Sequence, residues 1–178
     1  MNKTLLQVGV PTSTGIISKK SQLNMVVVFD SPIKFPGKKL LPGGRVLVGQ
    51  QSFLETVIAE AGQEVKITDL TNIRLFTLSS KPTRDVRIVT LEDFLDGKPI
   101  PEGLDNNSFM IQAYHGFDAV YMAETEMEPT PDNQETKNAY FIDVFNFDPN
   151  EFALDHGKLL SAYARFLRTG ELPAVDEF

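Results

Sequence analysis

The sequence predicts an α+β fold, layered α/β/α around a mixed sheet. Three observations predict it. Short β-rich apolar runs fill the first two thirds of the chain. Two longer segments carry apolar residues at helical spacing. The order is strands, helix, more strands, helix. With 178 residues the chain is long enough for one self-sufficient core, so residues 1–178 are expected to form a single domain.

The first strands are expected at Leu5–Val10 and Met25–Phe29. Val26, Val27 and Val28 in a row predict a strand buried on both faces. The Pro, Gly, Ser and Thr of Pro11–Ser21 predict a turn between them. The first helix is expected from Ser52, because Ser52 and Glu55 form a capping box that satisfies two backbone N–H groups. Phe53, Val57, Ile58 and Ala61 supply its apolar stripe. Further strands are expected at Ile73–Leu78, Val86–Leu91, Phe117–Ala123 and Tyr140–Phe145. Glu92–Asn107 is dense in Gly, Pro and acids and is read as an insertion, too short for a domain. The second helix is expected from Asp148-Pro149, with Asp as cap and Pro at the first position. Its stripe is Phe152, Leu159, Leu160, Tyr163, Phe166 and Leu167, and Gly170 then Pro173 end it.

Composition excludes several classes. There are 17 Lys plus Arg against 24 Asp plus Glu, a net charge of −7, which argues against a general nucleic-acid binder. There is no cysteine, hence no disulfide, thiolate metal site or cysteine nucleophile. No apolar run has the ~18 residues of a membrane span, and the first residues do not read as a signal peptide. No membrane association and a cytoplasmic location are the resulting expectations.

The stretch Leu41–Ile67, LPGGRVLVGQQSFLETVIAEAGQEVKI, carries the chemistry. A glycine turn at Gly43-Gly44 precedes the capped helix, and glycine lets a backbone approach a ligand closely. Glu60 and Glu64 lie four apart, on one helix face. Like charges at that spacing repel mildly, and a hard divalent cation between them would relieve the repulsion. The bland alternative is a solvated acidic face.

This stretch resembles the signature box of the Nudix hydrolases: Gly, five residues, Glu, seven residues, then Arg-Glu-apolar-x-Glu-Glu-x-Gly-apolar. Leu41-Pro42-Gly43-Gly44 matches the residues that lead into the box, and Gly49 matches the glycine before the helix. With one extra residue at Gln50/Gln51, Glu60 falls on the Glu of the Arg-Glu pair, Ala61 on the apolar site, Glu64 on the last Glu and Ile67 on the final apolar site. The departures are Gln50 or Gln51 for the first Glu, Ala59 for Arg, Gln63 for one Glu of the pair, and Lys66 for Gly. Leu75–Arg87 looks like the strand and substrate-side loop of the ADP-ribose pyrophosphatase branch. Tyr140–Leu167, with Ala153-Leu154-Asp155-His156, looks like that branch's closing strand and terminal helix.

The resemblance implies a Nudix-like sandwich and a hydrolase that cleaves a diphosphate linkage in a small-molecule nucleotide, ADP-ribose-like or dinucleotide. It implies Mg²⁺ or Mn²⁺ held by Glu60 and Glu64, and Gly43 and Gly44 close to the diphosphate. A loop acid, one of Glu124, Glu126 and Glu128, is implied as a third ligand or base; the bland reading is a solvated loop that also holds Asp132 and Glu135. Arg45, Arg84 and Arg87 are candidates for the diphosphate, since guanidinium matches phosphate geometry; surface ion pairs are the alternative. Dimers are frequent in this branch, which makes a homodimer an option. The lost Arg and Glu leave open a weakly active or inactive module that binds a nucleotide metabolite, and a structural domain with an eroded pocket. His115 and His156, the only histidines, are read as structural, as are Tyr114, Phe117 and Tyr121; a substrate contact for His115 and stacking on a base for the three aromatics are the alternatives.

Overall fold

The structure is a computed structural model and describes residues 3–47, 49–80, 87–95, 99–105 and 107–177. Its centre is a pair of long strands, β1 (Thr4–Lys19) and β7 (Phe109–Thr125), that run parallel along their whole length. The strand order is β3-β2-β1-β7-β5, with β2 at Gln22–Ser31, β3 at Lys38–Leu40 and β5 at Thr71–Ser79. Three short strands attach to this path antiparallel: β4 (Gly43–Arg45) on β1, β6 (Arg87–Thr90) on β7 and β8 (Ala139–Asp143) on β2. The sheet is therefore mixed, as expected.

The predicted turn in Pro11–Ser21 comes only at Lys20-Ser21; the rest of that segment continues β1. Pro11 is accommodated because the register with β7 shifts there, passing from Val10↔His115 to Pro11↔Phe117. A bulge is where a strand tolerates a residue without an N–H. The Ser and Thr that suggested a turn are buried sheet residues: Thr12, Thr14 and Ser18 donate hydroxyl protons to groups on β7.

Two apolar layers sandwich the sheet. Ile17, Val27 and Phe29 pack with Ala61 of α1 (Phe53–Glu64) and with Val65 and Ile67 just beyond it. Ile16, Val26, Val28, Val120 and Met122 pack with Leu159, Leu160 and Tyr163 of α3 (His156–Thr169) on the other face. Val26, Val27 and Val28 are all fully buried, alternating between the two layers. Each such side chain contributes about 2 kcal/mol by leaving water.

α1 starts as the sequence predicts: the Ser52 hydroxyl accepts from the Glu55 N–H, and the Glu55 carboxylate accepts from the Ser52 N–H. Its buried stripe is Thr56, Val57, Ala61 and Glu64, while Ile58 is 41% exposed. The expected second helix is two pieces. Asp148 caps a 3₁₀ turn at Pro149–Glu151, and α3 begins only at His156. Between them Leu154 takes a positive φ of 56°, which breaks the helix. Gly157 then lies so close to the Pro149 carbonyl that a Cβ would be 2.3 Å from its oxygen. Gly170 ends α3 in the left-handed region, as expected.

The segment read as an insertion begins inside α2 (Leu91–Leu95). Phe94, Leu95 and Leu104 pack on a third apolar cluster, Val10, Leu91, Ile111 and Ala113, over the first halves of β1 and β7. Among the described residues no helix is long and apolar enough to cross a membrane.

Candidate active site

Pairing of β4 with β1, Thr12↔Arg45 through Thr14↔Gly43, holds the glycine segment against α1. The two glycines are then needed for space. A Cβ on Gly44 would lie 2.0 Å from the Glu60 Oε1, and one on Gly43 would lie 2.5 Å from the Ser13 carbonyl oxygen. The Gly43 N–H donates to the Glu64 Oε2 at 3.0 Å. In this structure that amide is taken up by Glu64. Together Gly43 and Gly44 seat the helix carboxylates.

Glu64 is only 7% exposed and lines a cavity of about 150 Å³. Burial pushes its carboxyl up to about 8, the charge of Glu60 adds to this, and the Gly43 N–H and Lys34 oppose it. Glu60 lies behind Gly44, which lines the cavity. Its carboxyl is raised too, first by burial, with Glu135 adding and Lys34 opposing.

Lys34 and Glu135 also line the cavity, and the Lys34 ammonium meets the Glu135 carboxylate at 2.9 Å. Glu135 is delivered by a well-tied loop. The Asp132 Oδ1 accepts from the N–H groups of Gln134, Glu135 and Thr136, an Asx-type turn. The Thr136 hydroxyl, itself buried, donates to the Glu64 carbonyl, and the Thr130 N–H donates to the Val65 carbonyl. The loop is thus bolted to the end of α1. Ser31, Thr12, Thr14 and His156 complete the polar lining. Thr12 and Thr14 donate to the buried Asp118 carboxylate at 2.8 and 3.0 Å. The His156 Nδ1 accepts from the Leu41 N–H at 2.9 Å, so in its neutral form the proton sits on Nε2.

The structure does not bring Glu124, Glu126 or Glu128, the candidates for a third ligand or base, to the cavity. Glu124 pairs opposite Ser18, whereas the cavity strand residues Thr12 and Thr14 pair opposite Asp118 and Val120. Going from Asp118 to Glu124 along a strand covers about 20 Å. There Glu124 accepts from the Asn72 side-chain amide, Glu126 is exposed, and Glu128 pairs with Lys19. The acid that shares the cavity with Glu64 is Glu135 instead, and its charge acts on both helix carboxyls. Its signal was present in the sequence: an Asp three residues before it and a Thr after it make the turn that aims it.

Arg45 is exposed and lines the cavity. Arg84 lies outside the described residues; Arg87 is in β6, but its side chain lies outside them, as do those of Tyr114 and His115. Phe117 stacks edge-on against Phe53, with ring centroids 5.3 Å apart, and neither it nor Tyr121 lines the cavity. Gln63 is exposed, turned away from Glu64. Among the described residues no three His, Asp or Glu side chains lie close enough together to hold a metal ion as they stand.

No family model matches the sequence, and no curated protein sequence matches it. Solved structures do. A Nudix hydrolase from Nitrosomonas europaea superposes with a TM-score of 0.64 at 16% identity, covering 96% of this chain and 77% of that one. An ADP-ribose pyrophosphatase from Streptococcus suis gives 0.58 at 13% identity, covering 94% and 98%. The Nudix domain of Shewanella oneidensis NrtR, solved with ADP ribose, gives 0.58 at 14%, covering 92% and 91%. The chain has the Nudix fold. In this chain the stretch Leu41–Ile67 holds β4 and α1.

Proposed function

We propose that the protein is a metal-dependent hydrolase of a diphosphate linkage in a nucleoside diphosphate derivative, ADP-ribose-like or dinucleotide. One observation carries this: Glu60 and Glu64 are both held against the Gly43-Gly44 strand, and Glu64 faces a cavity that Lys34, Arg45 and Glu135 also line. Surface acids would avoid each other in water. Here the fold forces two carboxyls together and drives both towards protonation. A hard divalent cation relieves that cost, and the two helix carboxyls offer it oxygen alone, which suits Mg²⁺ or Mn²⁺. Magnesium is commonly held by one or two carboxylates plus substrate phosphates, so Glu60 and Glu64 fit as its protein ligands.

Such an ion would neutralise the diphosphate and lower the pKa of an attacking water. The chain's own groups do the rest. Glu135, tied by Asp132 and Thr136, is placed to accept a proton at the cavity mouth. Arg45 is placed to pair with a phosphate. Thr12 and Thr14 shape the floor, held by Asp118.

The test is release of a phosphomonoester from ADP-ribose and related dinucleotides with Mg²⁺ or Mn²⁺, followed by phosphorus NMR. Turnover that disappears in Glu64→Gln supports the reading. No turnover by folded protein across the panel overturns it. A second reading, a module that binds the nucleotide without cleaving it, is favoured by the outward-facing Gln63 and the absence of the box Arg at Ala59. It predicts a calorimetric binding signal from ADP-ribose with no product.

A further inference from the structure

The acidic centre has a cation of its own. Lys34 sits in the loop between β2 and β3, flanked by Pro32 and Pro36. This loop faces the Asp132–Thr136 turn across the cavity, and the 2.9 Å Lys34–Glu135 contact bridges the two. The Phe35 N–H donates to the Ser31 hydroxyl at 3.1 Å, and the Lys38 N–H donates to the Phe35 carbonyl at 3.0 Å. The loop is therefore closed on both sides of the lysine. Lys34 and Glu135 are each more than half exposed, so the pair is exchangeable and not locked in the core. Gln63 leaves the centre one carboxylate short of the box it resembles, so the charge of a nearby ammonium weighs more in the balance that remains.

Resting on the hydrolase reading, we propose that Lys34 is an internal counter-cation: in the free protein it competes with a divalent cation for the acidic centre, and when a diphosphate binds it moves from Glu135 to a phosphate oxygen. The chemistry is simple exchange. An ammonium near Glu60, Glu64 and Glu135 weakens a dication's attraction to them. An incoming diphosphate offers the ammonium another anion and leaves Glu135 unpaired for the metal or the water. Dication and diphosphate therefore bind cooperatively, each strengthening the other by the same factor.

The experiment reads binding, not turnover. Mn²⁺ affinity is measured by calorimetry, with and without inorganic pyrophosphate, for the wild type, Lys34→Gln, Lys34→Arg and Lys38→Gln. Lys38 is a charge-matched control, because its ammonium lies on the Asn150 carbonyl. Lys34→Gln is expected to bind Mn²⁺ alone about fivefold more tightly, to bind pyrophosphate about fivefold more weakly, and to lose most of the coupling between them, as one removed charge requires. Lys34→Arg should keep the coupling. Equal Mn²⁺ affinity in Lys34→Gln and Lys38→Gln, or no Mn²⁺ binding by either, overturns the proposal. Coupling of Mn²⁺ and pyrophosphate that is present in the wild type and lost in Lys34→Gln, in a wild-type protein that cleaves no diphosphate substrate, would sink the hydrolase reading and leave Lys34's role standing.

Discussion

The two acidic regions of the chain behave in opposite ways. Glu124, Glu126 and Glu128 crowd into five residues, yet each has gone its own way: to Asn72, to water, to Lys19. Glu60 and Glu64 are fewer, but the strand Gly43–Arg45 holds them together and burial raises both carboxyls. Density of charge in the sequence therefore says little about chemistry. What matters is whether packing prevents the charges from separating or reaching solvent.

The sharpest way to break this comparison is paired substitution. Glu64→Gln should lower kcat/KM by about 100-fold or more, as expected for a lost group that carries a transition-state interaction. Glu124→Gln and Glu126→Gln should stay within about twofold. A comparable loss in all three, with intact folding, would undo the distinction.

Next comes the pH dependence of stability without added metal. Glutamate ionises near 4.5 in the unfolded chain and at about 8 for folded Glu64. Between these values the folded state holds the extra proton, so rising pH favours unfolding. The stability is fully present below about 4.5 and is lost as pH rises through about 8. After discounting for water reaching the site, the fall should be on the order of 3 kcal/mol. Glu64→Gln should flatten it in urea unfolding at several pH values. An equal slope in wild type and variant would mean that Glu64 is not buried as described.

The smallest effect separates the two glycines. Gly44→Ala places a methyl against the movable end of Glu60, so it should cost under about 1 kcal/mol of stability but about tenfold in activity. Gly43→Ala meets the Ser13 backbone, which cannot step aside, and should cost about 2–3 kcal/mol. Thermal melts and kinetics on both variants decide it. Reversal of the two stability costs would show that β4 is not packed on β1 as found.

Much of the fold was legible in local signals. The Ser52–Glu55 box starts α1, Gly170 ends α3, and three valines mark a strand covered on both faces. Each depends on neighbours in sequence, where local geometry and periodicity act. The Pro, Gly, Ser and Thr of Pro11–Ser21 predict a turn, which the structure confines to Lys20-Ser21. In the sheet the hydroxyl protons go to β7, about a hundred residues away, and no local pattern carries that.

The site divides along the same line. The sequence by itself determined the carboxylate pair, because residues four apart on a helix share a face whatever the helix packs against. It also determined the glycines that let a strand lie against that pair. Only the tertiary structure decided which distant acid shares the cavity with Glu64. Glu135 arrives through a turn bolted to the end of α1, and Lys34 arrives from the loop after β2. Those placements depend on how two separate loops meet over the cavity, and so does the cation balance of the site.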